Sequence, residues 1–195
     1  SDREFVPKES FSVQTGSLTP SKLPEEIQGE MYNLMENAAR ALGVTSGAFK
    51  GDLVLVDGKP RIIEVTARTS GGFDSQYRKP YSFGIDIIKA TLDISLGREM
   101  DPLDLVPRWC KWSKTTSVFP DPGVVSKISG IDLLESTEGV RKIFCLIERG
   151  DEIEPYTDCS KRTNFVIISA DTYDELAELE KFVWRTLVIE TVEKI

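Results

Sequence analysis

Histidine is absent from all 195 residues. That removes the usual general base near neutral pH, the Ser-His and Cys-His dyads, and histidine-bound zinc. Cysteine is scarce: Cys110, Cys145 and Cys159 are odd in number and form no CxxC pair. They read as reduced, mostly structural thiols in a cytoplasmic protein. Nowhere do about eighteen apolar residues run together, as a transmembrane helix requires. The charged start SDREFVPKES lacks the apolar centre of a signal peptide. Basic charge is also short. With a formal net charge of −8 and acids spread along the chain, the sequence offers no basic face for a nucleic acid. Chemistry is left to carboxylates, Arg, Lys, backbone amides and a hard cation.

What is present is ordinary for a globular protein: 40% hydrophobic and 29% charged residues, enough for one large domain or two small ones. The first twenty residues read as extended or irregular, with FSVQTG a candidate strand. Residues 21–43 read as a helix capped by Ser21 and stopped by Gly43. Its apolar stripe, Leu23, Ile27, Met31, Leu34, Ala38 and Leu42, reads as core packing. A hairpin follows over residues 47–66, turning at Asp57-Gly58. After the loop ARTSGGFDSQ, a second helix is expected over 84–96, ended by Gly97. Residues 101–114, with two prolines, Trp109 and Trp112, read as a connector. Short β-like runs come next at TTSVF, VVSKIS, VRKIFCLIE and NFVIISA. A final helix starts at the capping box Thr172/Glu175 and is expected to reach Thr191, with Phe182, Val183, Leu187 and Val188 on its core face.

The hairpin carries the strongest signal, and its meaning depends on register. A three-residue loop, Asp57-Gly58-Lys59, pairs Val56 with Pro60, Val54 with Ile62, and Asp52 with Glu64. Two carboxylates then oppose each other across the ladder, an arrangement that is destabilising without a partner. A two-residue loop would instead pair Asp52 with Ile63 and separate the acids. In the three-residue register Val54, Val56 and Ile62 share the acids' face, while Leu53, Leu55, Ile63 and Val65 line the other. Such a sheet is expected to be covered on both sides. Two buried carboxylates must share a proton or bind a cation, and ligation by oxygen alone suits Mg²⁺ or Mn²⁺ completed by phosphate and water. The alternative is a hairpin whose acids lie at a solvated sheet edge.

The stretch GDLVLVDGKPRIIEVTARTSGG, followed by PYSFGIDIIKATLDISLG, resembles the large ATP-binding subdomain of the ATP-grasp superfamily. That superfamily includes biotin carboxylase, carbamoyl-phosphate synthetase large chains and carboxylate–amine ligases. The tail, from GVVSKISG to the final helix, resembles the subdomain that closes many of these enzymes. The resemblance implies an α+β fold, with a mostly antiparallel sheet flanked by helices over residues 1–100 and a smaller α+β subdomain over 101–195. It implies Asp52 and Glu64 as ligands of the metal on ATP, and Val54 as the apolar residue beneath adenine. Arg68 falls on the arginine that neutralises the transferring phosphoryl. Thr66 stands where the family has a metal-binding asparagine. The amino-terminal and ATP-lid domains have no counterpart here, so they are expected in cis or in trans. The implied function is a share in an ATP-dependent ligase acting on a small-molecule carboxylate. A non-catalytic regulatory or scaffolding partner is the alternative.

Beside the hairpin, the loop Thr69-Ser70-Gly71-Gly72 could present backbone amides to a phosphate or acyl-phosphate oxygen, giving Ser70, Gly71 and Gly72 as nucleotide or substrate contacts. Asp74 and Gln76 are candidate substrate-recognition residues. Arg78 and Lys79 read as a solvated basic pair, and Lys161 and Arg162 as surface cations. Cys159 has no neighbouring base to activate it.

Overall fold

The computed structural model describes residues 1–7 and 12–193. In chain order the elements are β1 (Asp2–Pro7), β2 (Ser12–Thr19), α1 (Glu25–Ala41), β3 (Lys50–Val56), β4 (Lys59–Thr66), a π-helical turn at Asp74–Arg78, α2 (Lys79–Phe83) and α3 (Ile87–Ser95). They continue with β5 (Trp112–Thr116), β6 (Gly123–Ser129), α4 (Ile131–Glu135), β7 (Val140–Cys145), β8 (Glu152–Ile153), β9 (Asn164–Ala170), α5 (Tyr173–Thr186) and β10 (Val188–Val192). Every strand pair is antiparallel, so the fold is α+β. Among the described residues no helix is long and apolar enough to cross a membrane.

The chain divides into two compact units that do not split at residue 100. One comprises Ser1–Pro20, Tyr81–Phe83 and Trp109–Ile195; the other comprises Ser21–Pro80 and Gly84–Arg108. The amino-terminal strands thus join the carboxy-terminal half.

In the first unit a five-stranded sheet runs in the order β1-β2-β5-β9-β7, and a three-stranded sheet in the order β10-β6-β8. Strand β9 is buried on both faces: Val166, Ile167 and Ile168 are all 0% exposed. Val166 and Ile168 meet Leu134 of α4 and Leu176 and Val183 of α5 in the main core. Helix α5 begins as expected, because Thr172 and Glu175 form a reciprocal capping box. It ends at Thr186 rather than Thr191. The β-branched run Val188–Val192 leaves the helix and pairs with β6. Val183 and Leu187 are buried, but Val188 is exposed. The start, expected to be extended or irregular, is extended: β1 and β2 pair antiparallel; Phe11, which opens the candidate strand FSVQTG, lies outside the described residues.

The second unit is built differently. Helix α1 starts at Glu25 after Pro24, and its N-cap has no side-chain hydrogen bond. The Ser21 hydroxyl instead accepts from the Leu23 amide. None of the residues of α1 is buried, and Leu42 is exposed, so its stripe does not form a closed core here. Among the described residues of this unit, Ala90 is the single buried hydrophobic side chain. The helix expected over 84–96 is α3, and a short additional helix, α2, precedes it and ends at Gly84, whose φ is +69°.

Candidate functional site

The hairpin turns on two residues, with Asp57 at φ 52° and Gly58 at φ 73°. Asp tolerates the left-handed region and Gly prefers it, which makes Asp-Gly a natural two-residue turn. Val56 therefore pairs with Lys59, Leu55 with Pro60, Val54 with Arg61 and Leu53 with Ile62. The three-residue loop is incorrect. A bulge then restores the outcome it implied. Between Leu53 and Asp52 the register shifts by one, Ile63 is the extra residue, and Asp52 sits opposite Glu64.

The shift redistributes the faces. Ile62 joins Leu53, Leu55 and Val65 rather than Val54 and Val56, while Ile63 is displaced to 68% exposure. A Cβ on Gly51 would fall on the Met35 side chain, so α1 packs close to this apolar face. The opposite face carries Lys50, Asp52, Val54 and Val56 from β3, and Arg61, Glu64 and Thr66 from β4. It is not covered: Val54 and Val56 are 42% and 46% exposed.

The acids do not lie dry. The Glu64 side chain is 59% exposed, and a cation is already present. The Lys50 ammonium lies 2.6 Å from Asp52 Oδ2 and 3.9 Å from Glu64 Oε1, with its own side chain 13% exposed. Lys50 escaped the reading of the sequence, although its place two residues before Asp52 on one strand assigns it the same face. Like-charged carboxylates across a ladder call for a positive partner, and here the adjacent face position supplies it.

Those side chains fit a hard divalent cation. Two carboxylates and the Thr66 hydroxyl, all oxygen donors, share one face, and the Lys50 ammonium already lies against Asp52 and within 3.9 Å of Glu64. Among the described residues no group of three or more carboxylates or thiols could form an all-protein cage. Such a partial donor set suits Mg²⁺, which keeps waters and substrate phosphates in its shell.

Arg68 lies beyond the strand. β4 stops at Thr66, so strand alternation does not carry Arg68 to the acid face, and its exposed guanidinium donates to the Thr69 carbonyl at 2.9 Å. Ser70 is half-buried and Gly71 and Gly72 are exposed, with Gly72 at φ 62°. The Gly71 carbonyl accepts from the Asp74 amide at 3.2 Å, anchoring the loop to the π-helical turn. Asp74 is not an exposed recognition residue, and Arg78 is not solvated. Each is 3% exposed, and they form a 2.8 Å ion pair across one turn. Gln76 remains exposed.

In the other unit, Lys161 pairs with Glu154. Arg162 stacks 4.6 Å over the Phe165 ring and donates to the Cys159 carbonyl; its burial lowers the guanidinium pKa. Cys159 is half-buried and accepts from the Gln14 amide at 3.4 Å. A buried charged cluster joins Lys114 to Glu180 at 2.6 Å and to Glu4 at 2.5 Å. Thr116 donates to Glu180 and in turn accepts from the Trp184 indole. Burial works against the Lys114 ammonium, but its hydrogen bonds to Glu180 and Glu4 outweigh this and raise its pKa. The cluster is internally satisfied and structural.

Comparison with known proteins adds four likenesses. The family model for the L-amino acid ligase C-terminal domain 2 matches residues 117–192, a segment that excludes the hairpin. The uncharacterized protein y4rH of Sinorhizobium fredii (strain NBRC 101917 / NGR234) is 25% identical over 172 residues, spanning 85% of this chain and 35% of that protein. The L-amino acid ligase from Bacillus licheniformis superposes with a TM-score of 0.79 at 25% identity, over 92% of this chain and 44% of the ligase. Phosphoribosylglycinamide synthetase from Anaerococcus prevotii gives 0.83 at 18% identity, over 97% of this chain and 48% of that one, a likeness of fold alone. The chain thus spans less than half the length of each protein it matches here.

Proposed function

The chain belongs to the ATP-grasp superfamily, and we propose that it forms one side of the active site of an ATP-dependent ligase, which activates a carboxylate as an acyl-phosphate for attack by an amine. The observation that carries this reading is the Asp52–Glu64 pair, opposed on one hairpin face with a cation between the acids. The carboxylate in this proposal is an amino acid, a class suggested by the ligase family matched over residues 117–192.

Asp52 and Glu64, assisted by Thr66, would hold Mg²⁺ or Mn²⁺. When bound, that ion neutralises charge on the phosphates and orients them for in-line transfer. Val54, on the same exposed face, provides an apolar surface for the adenine. Arg68 lies on a bend rather than a strand, so it can release the Thr69 carbonyl and turn toward a transferring phosphoryl group. The loop at Ser70, Gly71 and Gly72 offers backbone amides to phosphate or acyl-phosphate oxygens. No side chain here is assigned as a base. The remaining grip on the nucleotide comes from amino-terminal and lid domains, in cis or in trans. Support for that division comes from the chain's coverage of 44% of the Bacillus ligase and from the exposed apolar residues beside the acids.

One observation favours a non-catalytic partner chain instead: Lys50 already offsets half the charge of an acid pair whose third position is threonine. Turnover separates the two readings. In the protein together with its remaining domains, Glu64→Gln is expected to lower kcat for amino-acid-dependent phosphate release by about two orders of magnitude, the scale of a metal's charge stabilisation. Unchanged kcat in the folded variant contradicts the ligase reading.

A further inference from the structure

Lys50 has no part in the chemistry just described, yet it has the most intimate contact with the acid pair. Its ammonium is 2.6 Å from Asp52 and 3.9 Å from Glu64, and only 13% of its side chain is exposed. A lysine with a four-carbon stem ordinarily keeps its charged end in water. This one is held against the face where the divalent ion would bind.

We propose that Lys50 is a resident cation that competes with the free divalent ion for Asp52 and Glu64, and passes to the phosphate anion when metal and nucleotide arrive together. The proposal rests on the ligase reading above and adds an order of loading to it. The two carboxylates alone carry a charge of −2. With Lys50 among them the local charge is −1, and the ammonium occupies carboxylate lone pairs that a metal needs. A free divalent ion must therefore displace an ion pair in a partly shielded place. A metal–polyphosphate complex meets no such barrier, because its anionic oxygens are themselves a partner for the ammonium. Lysine suits this exchange: its charge is compact, its stem is flexible, and its three donors have no fixed fork geometry. Metal thus enters with nucleotide rather than ahead of it.

The test is Mn²⁺ binding to the 195-residue chain without nucleotide, read from loss of the free-ion paramagnetic resonance signal. Wild type, Lys50→Met and Lys50→Gln are compared, each with and without Asp52→Asn. Thermal melts report folding, and Lys50→Gln, with its hydrogen-bonding tip, supplies the reading if Lys50→Met fails to fold. The expected result is Mn²⁺ binding about tenfold tighter or more in the Lys50 variants than in wild type, in line with what neighbours of metal ligands contribute, and lost again with Asp52→Asn. Asp52-dependent binding of equal strength with and without Lys50 would overturn the competition and leave the metal site standing. Absence of Asp52-dependent binding in every variant would overturn the metal site itself, and the role of Lys50 with it.

Discussion

At Asp52 the sign of a mutational effect depends on one neighbour. Two opposed carboxylates alone would gain from losing a charge. With Lys50 at 2.6 Å, Asp52→Asn removes the nearer half of an ion pair and leaves a largely shielded ammonium with the more distant Glu64. Urea melts in metal-free buffer are expected to show a loss of about 1 kcal/mol, between the value of an exposed pair and that of a buried one. Equal or greater stability in the variant would mean that the pair with Lys50 contributes nothing. The sequence was enough to expect Asp52 opposite Glu64, the pairing that β3 and β4 make, while their role as ligands came from the resemblance. It did not locate the partner of Arg78. Lys79 beside it suggests a solvated basic patch, and residues 74–78 fall in a stretch that reads as loop; once they form a helical turn, the four-residue spacing brings Asp74 and Arg78 onto one side, and that side is buried.

Among the elements, glycines show how local geometry and packing divide the work. Gly58, in the hairpin turn, has φ +73°, and a methyl group added there would meet no atom within 4 Å. Its replacement by Ala carries only the left-handed penalty, about 1 kcal/mol. Gly130, which opens α4, has φ +92°, and a Cβ there would lie 1.9 Å from the Thr186 carbonyl oxygen at the end of α5. Backbone would have to move. Denaturant melts are expected to place Gly130→Ala more than about 3 kcal/mol below wild type, well beyond Gly58→Ala; similar losses at both sites would refute the close approach of α4 to the end of α5. Element types were legible wherever the pattern was long or carried its own signal, as in the Thr172 capping box and the run NFVIISA. Boundaries were not. The end of α5 was missed because Val188–Val192 continues an apolar pattern, and its exit into β10 is decided by pairing with β6. The hairpin register came out right for the acids through two compensating differences, a shorter turn and a bulge at Ile63 that nothing in the local sequence announces.

Across the whole molecule, apolar burial is uneven. Cores around Val166 and Val125 stabilise the unit that includes the carboxy-terminal half, whereas the hairpin unit buries Ala90 and exposes Val54, Val56 and Ile63. A face that is half apolar and half charged, open on one side, suits a nucleotide held between two surfaces better than one held by this chain alone. Binding of Mg-ATP to the chain by itself is therefore expected to be millimolar or weaker, without turnover, since phosphoryl transfer depends on positioning from both sides. Weak binding of that kind is within reach of a titration of the ¹⁵N-labelled chain with Mg-ATP, followed residue by residue in amide spectra. The expected shifts gather at residues 50–54 and 64–72, the acid face and the glycine loop. Saturating shifts confined to residues 117–192, with the hairpin unmoved, would contradict the placement of the nucleotide on Asp52 and Glu64.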